Sequence, residues 1–366
     1  MKIKYVDLSQ QYKVERKKIL SVIDKTLSSG QYVGGDQVKK FETQISKILK
    51  VKYCVALNSG TDALTLGLHA IGVRRGDEVI TTPNSFIAST AVIDHLGAKP
   101  IFVDVKNDQC IDPNLIEKAI TKKTKAIMPV HLTGRVCDMD KILKISKKYK
   151  IPIIEDAAQA IGSKYKKKMA GSFGKVSCFS AHPLKNLNAL GDAGYLVTNS
   201  KKIADFLKDV RSHGMTKRNK IKNFGYVSRM DNLQAAVLNL RLKNLNKIIN
   251  KRRMNAKFYL NNLNRKFVFI PKENSNEFNT YHTFVVQVPN RDKLKSYLEK
   301  KGIETSIHYP IPIHLQPAAK KLGYKLGDFK MTEHQSKKIL TLPINQFLKK
   351  DDLKKVCKEI NNFYEN

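Results

Sequence analysis

Residues Ile151–Gly194 read IPIIEDAAQAIGSKYKKKMAGSFGKVSCFSAHPLKNLNALGDAG. The apolar, β-branched run at the start predicts a strand buried on both faces, which ends on the acidic pair Glu155-Asp156. After a lysine-rich turn punctuated by glycines, Val176–Ser180 predicts a second short strand, and Lys185 follows in the next loop. We therefore expect a carboxylate, a hydroxyl and an amine to leave neighbouring strands on the same side of a sheet.

An amine, a buried carboxylate and a set of small hydroxyl residues are the groups that pyridoxal phosphate requires from a protein. A lysine forms the Schiff base, an acid keeps the proton on the pyridine nitrogen, and hydrogen-bond donors hold the phosphate. Lys185, Asp156 and Ser180 are the candidates for these tasks. Taken singly, each has an ordinary alternative: Asp156 could cap a helix, and Lys185 could be a surface lysine in a chain with 67 lysines and arginines.

The segments around this stretch alternate between strand and helix patterns. The alternation predicts an α/β fold with a mostly parallel, seven-stranded sheet that is covered by helices on both faces. Ligands of such sheets bind beyond the carboxyl ends of the strands, where the candidate groups lie. The predicted strands are 53–57, 78–82, 99–104, 125–130, 151–155, 176–180 and 194–198, and the predicted helices include 11–28, 37–50, 138–149 and one from Pro83 to about Leu96.

Beyond residue 198 the alternation weakens. A long helix is predicted from Asn232 to about Ala256, and we take it as the domain boundary. The large domain would span 1–240, with 1–30 as an N-terminal segment, and the small C-terminal domain would span 241–366. The small domain is predicted to be α+β, with strands at 283–288 and 304–308, a helix at 291–301 and a terminal helix from about residue 350.

The motif Asn58-Ser59-Gly60-Thr61-Asp62 stands directly before a segment with helical spacing of apolar residues. A helix start carries unpaired amides and about half a positive charge, so it suits a phosphate group. A plain serine or threonine N-cap is the alternative. Only the combination with the other motifs favours a phosphate site.

The formal net charge of +35 and the pI near 9.9 would ordinarily suggest a nucleic-acid or anionic membrane partner. The cationic residues are spread along the whole chain, without the interleaved aromatic residues of a nucleic-acid-binding module. We therefore expect no nucleic acid and no membrane as partner. A basic surface would still help to collect a diphosphate substrate.

The N-terminus lacks the apolar core of a signal peptide, and no apolar run is long enough to cross a bilayer, which predicts a soluble, cytoplasmic protein. The five cysteines form no C-x-x-C pair and have no histidine at metal spacing. We expect free thiols, with neither a disulfide framework nor a metal site.

With these residues assembled, the sequence resembles the DegT/StrS-type nucleotide-sugar aminotransferases, which are fold-type I pyridoxal phosphate enzymes. The resemblance runs over nearly the whole chain, and its motifs stand in the family's order. They are Ser59-Gly60-Thr61-Asp62-Ala63-Leu64, Gly76-Asp77-Glu78-Val79, Gly97-Ala98-Lys99-Pro100, Val130-His131-Leu132-Thr133-Gly134, Glu155-Asp156-Ala157-Ala158-Gln159-Ala160, Phe179-Ser180 with Lys185, Ser228-Arg229-Met230-Asp231 with Gln234-Ala235-Ala236, His308-Tyr309-Pro310 and Leu342-Pro343-Ile344.

The resemblance implies a role for individual residues. Lys185 would form the Schiff base and shuttle the proton, and Asp156 would partner the pyridine nitrogen. Phe86 would stack on the cofactor ring, although its spacing fits a core aromatic equally well. The full cofactor-binding set implied is Gly60, Thr61, Phe86, Asp156, Gln159, Ser180 and Lys185, in which Gln159 would lie near the ring oxygen and Gly60, Thr61 and Ser180 would hold the phosphate.

Four residues are candidates for contacts with the sugar substrate: His308, Tyr309, His314 and Arg229. Histidines in a proline-rich loop can also be ordinary surface residues. The family is dimeric and often has an asparagine just before the Ser-Arg pair, which reaches the phosphate of the second subunit. Here Val227 stands at that position, so the resemblance implies a homodimer but does not extend to that contact.

The loop Gly191-Asp192-Ala193-Gly194 resembles the branch that aminates C3 of a dTDP-linked 3-keto-6-deoxyhexose for deoxyaminosugar biosynthesis, with glutamate as donor and 2-oxoglutarate as product. Enzymes that aminate C4 more often have Gly-Glu-Gly-Gly there. The alternatives are a 4-aminotransferase for a UDP- or GDP-4-keto sugar, a pyridoxal phosphate-dependent sugar dehydratase, and a basic nucleic-acid-binding or regulatory protein with the same fold. Dehydratases of the family carry histidine in place of the lysine, so Lys185 argues against that reading.

Overall fold

The computed structural model describes residues 2–365. Its helices are α1 (Leu8–Ser28), α2 (Asp36–Leu49), α3 (Gly60–Ala70), α4 (Ala88–His95), α5 (Pro113–Ile116), α6 (Met139–Tyr149), α7 (Lys201–Val210), α8 (Asn232–Leu242), α9 (Leu245–Asn262), α10 (Arg291–Lys300), α11 (Lys330–Lys338) and α12 (Lys350–Glu365). Its strands are β1 (Tyr53–Leu57), β2 (Glu78–Thr81), β3 (Lys99–Phe102), β4 (Thr124–Ile127), β5 (Ile154–Asp156), β6 (Lys164–Tyr165), β7 (Lys168–Met169), β8 (Val176–Ser180), β9 (Gly194–Thr198), β10 (Met215–Lys217), β11 (Lys220–Ile221), β12 (Glu277–Phe278), β13 (Phe284–Gln287) and β14 (Ile339–Leu342).

Seven strands form the central sheet in two hydrogen-bonded groups, β1-β9-β8-β5 and β3-β2-β4. Two parallel bridges, Ile127 with Ile153 and Val130 with Asp156, join the groups and place β4 beside β5. Only β9 runs antiparallel to its neighbours, β1 and β8. The prediction of a mostly parallel, seven-stranded sheet is confirmed.

Helices cover both faces of this sheet, as the residues of β1 illustrate. Cys54 and Ala56 belong to one buried apolar cluster, and the intervening Val55 together with Leu57 belongs to another. Successive side chains of a strand point to opposite faces, so the two clusters lie on opposite sides of the sheet. The predicted bounds of 53–57, 176–180 and 194–198 are those of β1, β8 and β9, short segments that are mostly apolar and mostly buried.

Some predicted bounds are wrong. Strand β5 begins at Ile154 instead of residue 151, and Pro152, which has no amide hydrogen, contributes only its carbonyl, to Ile127. The helix predicted from Pro83 begins at Ala88. No strand spans 304–308, because Glu304 hydrogen-bonds with Ile3 while Ser306 bridges to Thr341, so the segment divides its pairing between two partners.

The single long helix predicted from Asn232 to about Ala256 is also wrong. The chain breaks at Lys243 and Asn244, and separate helices α8 and α9 result. Asn244 takes the N-cap position of α9, where its carbonyl accepts a hydrogen bond from the Ile248 amide. The Asn244 side chain makes no capping hydrogen bond, but asparagine is unfavourable in a helix interior, which favours a break at this position.

A third buried apolar cluster fills the C-terminal part of the chain, around the antiparallel pair β13-β14 and helices α10 and α12. Ile3 joins this cluster, and its amide and carbonyl hydrogen-bond to Gly302 and Glu304. Helix α9 packs into both parts of the molecule, since Ile249 belongs to the first cluster and Tyr259 to the third. We propose a domain division at residues 240 and 241, next to the break before α9.

Within residues 2–365, none of the helices combines the length and the apolar character that crossing a bilayer requires.

Candidate active site

The acid, the hydroxyl and the amine predicted from the sequence lie at one edge of the central sheet. Strands β5 and β8 are parallel neighbours with Asp156 opposite Cys178, so Ser180 follows two residues further along the same edge. The loop after β8 carries Lys185 and is fixed at both sides, because the Lys185 amide donates to the carbonyl of His182 and the Ala189 amide donates to that of Ala181. A short, anchored loop gives the amine a defined position.

Asp156 is a buried carboxylate with 4% of its surface exposed. Its Oδ2 accepts a hydrogen bond from the Ser89 hydroxyl at 2.7 Å, and its Oδ1 accepts one from the Ala158 amide at 3.1 Å. Burial raises the pKa of this carboxyl, while the two hydrogen bonds and the charge of Lys185 oppose the rise. Asp156 is therefore a buried acid whose charged form gains from a cationic partner.

The amine of Lys185 is the basic counterpart of this acid. Burial lowers its pKa to about 8, and the negative charge of Asp156 limits the shift. A substantial fraction of this amine is unprotonated near neutral pH, whereas an ordinary lysine is almost fully charged. Only the unprotonated form attacks a carbonyl carbon.

Helix α3 begins beside the same edge. Ser59 caps it, with its hydroxyl accepting from the Asp62 amide at 3.0 Å. A Cβ atom on Gly60 would lie 2.7 Å from the Cβ of Ser180, and one on Gly194 would overlap the Ser59 carbonyl. Only glycine fits at these two positions, and the close approach brings the amides of the helix start next to the Ser180 hydroxyl, as a phosphate site requires.

Phe86, Tyr309 and Gln159 form a second group around the site. The ring of Phe86 is 56% exposed, so the alternative of a core aromatic is wrong, and it lies 6.1 Å from the ring of Tyr309. The side-chain oxygen of Gln159 accepts a hydrogen bond from the Thr133 amide at 2.7 Å. Burial, together with the charge of Asp156, raises the pKa of the Tyr309 hydroxyl, whose hydrogen bond with Gln159 acts in the opposite direction.

Besides Tyr309, the residues predicted to contact the sugar are His308, Arg229 and His314, and they lie in different surroundings. Burial and the charge of Lys185 lower the pKa of His308 to about 4, so this imidazole is neutral beside the amine, and its Nδ1 lies 2.9 Å from the Thr341 hydroxyl. Arg229 has a buried Nε without a hydrogen-bond partner in residues 2–365. The expectation that His314 contacts the sugar is corrected. His314 is only 2% exposed, its Nε2 lies 3.0 Å from Glu333, and its ring packs on that of Phe329, so its role is structural.

Glu155, the other member of the acidic pair, has a structural role. It is fully buried, and its oxygens accept hydrogen bonds from one imidazole, one hydroxyl and three amides, those of His131, Ser177, Gly171, Phe173 and Gly174. These donors hold the turn after β7 against β5. The sequence shows two adjacent acids, and only the side-chain environments distinguish the one that faces the site.

Two further residues of the site were missed from the sequence. Ser89 donates to Asp156, as described above. His282 is half-buried. Desolvation of its imidazole and the charges of Lys185 and Arg252 hold its pKa well below the usual range, and its Nδ1 has no partner within residues 2–365. Neither residue stands in a recognisable motif, although both fall within a few positions of predicted site residues or strands.

The side chains present at this edge fit pyridoxal phosphate. An amine with a lowered pKa, one buried acid and a helix start that a Cβ would obstruct are the three groups that the cofactor needs. Within residues 2–365, no three histidine, cysteine, aspartate or glutamate side chains are grouped in a way that would hold a metal ion.

Comparison with known proteins agrees with this geometry. The sequence model of the DegT/DnrJ/EryC1/StrS aminotransferase family matches residues 13–361. The chain is 39% identical to a Geobacillus stearothermophilus protein named pleiotropic regulatory protein, over 100% of this chain and 99% of that one. It is 38% identical to the dTDP-3-amino-3,6-dideoxy-alpha-D-galactopyranose transaminase of Aneurinibacillus thermoaerophilus, over 99% of each chain.

Two solved structures are similar over the whole chain. S. venezuelae DesV, solved in complex with a ketimine intermediate, has a TM-score of 0.97 at 34% identity and covers 100% of this chain and 99% of that one. The ntdA protein from Bacillus subtilis, solved with bound cofactor PMP, has a TM-score of 0.93 at 32% identity, covering 100% of this chain and 86% of that one. The fold-type I architecture expected from the sequence is thereby confirmed.

Proposed function

Because this chain belongs to the DegT/DnrJ/EryC1/StrS aminotransferase family and is thus a pyridoxal phosphate-dependent aminotransferase, we propose that it aminates a nucleotide-linked keto-deoxysugar with glutamate as donor. The observation that carries this proposal is the pair of a low-pKa amine, Lys185, and a buried acid, Asp156, at one edge of the sheet. The product of the donor would be 2-oxoglutarate.

The residues of the site would divide the work as follows. When bound, the cofactor supplies a carbonyl that takes up the amino nitrogen and a ring that accepts electrons. The Nζ of Lys185 would remove the proton from Cα of the donor and, in the second half of the reaction, deliver a proton to the sugar carbon. Asp156 would keep the proton on the ring nitrogen, and Gly60, Thr61 and Ser180 would hold the phosphate.

We propose a dTDP-linked 3-keto-6-deoxyhexose as the sugar, for the biosynthesis of a deoxyaminosugar. The relative from A. thermoaerophilus is named for a 3-amino-3,6-dideoxy sugar on dTDP, and it aligns with 99% of this chain. The Gly191-Asp192-Ala193-Gly194 loop points to the same branch. The alternatives are amination at C4 of a UDP- or GDP-linked sugar and dehydration of the sugar.

Incubation of the purified protein with glutamate and a panel of dTDP- and UDP-linked 3-keto and 4-keto sugars tests this proposal. We expect 2-oxoglutarate and aminosugar in equal amounts, with the highest rate for a dTDP-linked 3-keto sugar. Release of ammonia with loss of a sugar hydroxyl would identify a dehydratase. Absence of any sugar product, with salt-sensitive DNA binding, would favour the nucleic-acid-binding alternative.

We also propose that the chain acts as a homodimer in the cytoplasm. The hairpin β10-β11 and the residues after it expose apolar side chains, with Phe224 97% exposed and Val227 60% exposed, as expected of a surface that another subunit covers. Light scattering should give a mass near twice 41.5 kDa, and a monomer that retains full activity would contradict the dimer.

The proposal of a cytoplasmic location is supported by the cysteines. The five cysteines are free and buried, which suits a reducing compartment.

A further inference from the structure

The hydroxyl of Ser89 donates a hydrogen bond to the carboxylate of Asp156. We propose that Ser89 is a positioning residue, which holds Asp156 ionised and aims its carboxylate at the ring nitrogen of the cofactor. This inference rests on the role that the proposed function gives to Asp156. It assigns a task to a residue of helix α4 that has no place in the sequence motifs.

The geometry of Ser89 is specific. The residue is 1% exposed, and its Oγ donates to Asp156 Oδ2 at 2.7 Å. Ser89 is the second residue of helix α4, and its hydroxyl reaches Asp156 at the end of strand β5, 67 positions away in sequence. The same turn of chain carries Phe86, whose carbonyl accepts from the Ser89 amide, so one segment supplies both the ring contact and the support for the acid.

The electrostatics of Asp156 explain why it needs this support. Burial disfavours its charged form and raises its pKa, and the Ser89 hydrogen bond is the largest of the influences that oppose the rise, ahead of the Ala158 amide and the charge of Lys185. The remaining ionisable groups around the carboxylate are His131, Cys178 and Tyr309. Loss of the Ser89 hydroxyl would leave the buried Oδ2 of Asp156 without this donor. The charged form of the carboxylate, which the ring nitrogen requires, would become less stable.

The test compares two cofactors on the cofactor-free protein, so that its readout is binding and not turnover. Pyridoxal phosphate carries the ring nitrogen, and its 1-deaza analogue has carbon in that position. We expect Ser89→Ala to weaken the binding of pyridoxal phosphate by about tenfold, as for loss of one hydrogen bond to a charged group, and to leave the binding of the deaza analogue unchanged.

Thr90 offers a matched control in the same helix. It is also buried, but its hydroxyl has no hydrogen-bond partner in residues 2–365, so Thr90→Val should alter neither dissociation constant. Ser89→Cys carries a weak donor of similar size, so it should lose less affinity for pyridoxal phosphate than Ser89→Ala does. This variant replaces Ser89→Ala in the test if the alanine variant does not fold.

The outcomes separate two failures. If the unmodified protein binds both cofactors equally well, the role of Asp156 in the proposed function is wrong. If it prefers pyridoxal phosphate and Ser89→Ala keeps that preference, or weakens both cofactors equally, Ser89 only packs the helix and this inference is wrong.

Discussion

Replacing Lys185 with alanine is expected to lower turnover by at least about 10⁴-fold, because one amine both binds the cofactor and transfers the proton in each half of the reaction. The visible absorbance of the bound cofactor should disappear with it. The lowered pKa of Lys185, about 8, supports this expectation, because it makes the reactive unprotonated amine more abundant near neutral pH than in an ordinary lysine. Absorbance spectra and initial rates of the purified variant measure both effects.

Lys201→Ala is the matched control for this prediction. Lys201 is an exposed lysine whose amine pairs with Asp205 on the surface, so its removal should change neither the spectrum nor the rate. Normal turnover in the Lys185→Ala variant would end the assignment of this residue.

Asp156→Asn is expected to lower turnover by about 10²- to 10³-fold, because a neutral amide has the shape of the acid but cannot hold the proton on the ring nitrogen. The fold should tolerate the change. Burial raises the pKa of this carboxyl, which means that its charged form costs stability in the folded chain, and a neutral side chain removes that cost. Steady-state rates and urea unfolding of the same preparation measure the two effects.

Glu155→Gln is the counterpart, since the two acids are adjacent in sequence and opposite in role. A glutamine would place an NH₂ group among five donors, and we expect a loss of about 3–5 kcal/mol in the free energy of unfolding, as for a broken buried ion pair. If Asp156→Asn unfolds the protein and Glu155→Gln leaves it stable, the division of roles between the two acids is wrong.

The sequence was most informative about the buried strands and about the reactive residues at or after their ends. The apolar runs that form β1, β8 and β9 predicted those strands with their bounds, because most of their residues are apolar and buried. Asp156 was recognisable because it ends a buried strand, and Lys185 because it lies in the loop that follows β8. The close packing of Gly60 on Ser180 was not predicted, as no pattern in one sequence reveals which glycines touch.

Several of the failures depend on contacts between distant segments. His314 was predicted at the site because it lies in the loop after His308, yet its partner is Glu333 in helix α11. The break before α9 follows from the chain turning towards a second core, which helical periodicity does not show. Ser89 was missed because a serine in a helix has no signature until the strand that carries Asp156 is placed beside it.

The central claim is that a single amine of this chain forms the covalent link to the cofactor. Reduction of the pyridoxal phosphate-loaded protein with borohydride, followed by proteolysis and mass spectrometry, locates that link directly. We expect one modified residue, Lys185, in the unaltered protein and no modified residue in Lys185→Ala. A modification on any other of the lysines, or none at all in the unaltered protein, would contradict it.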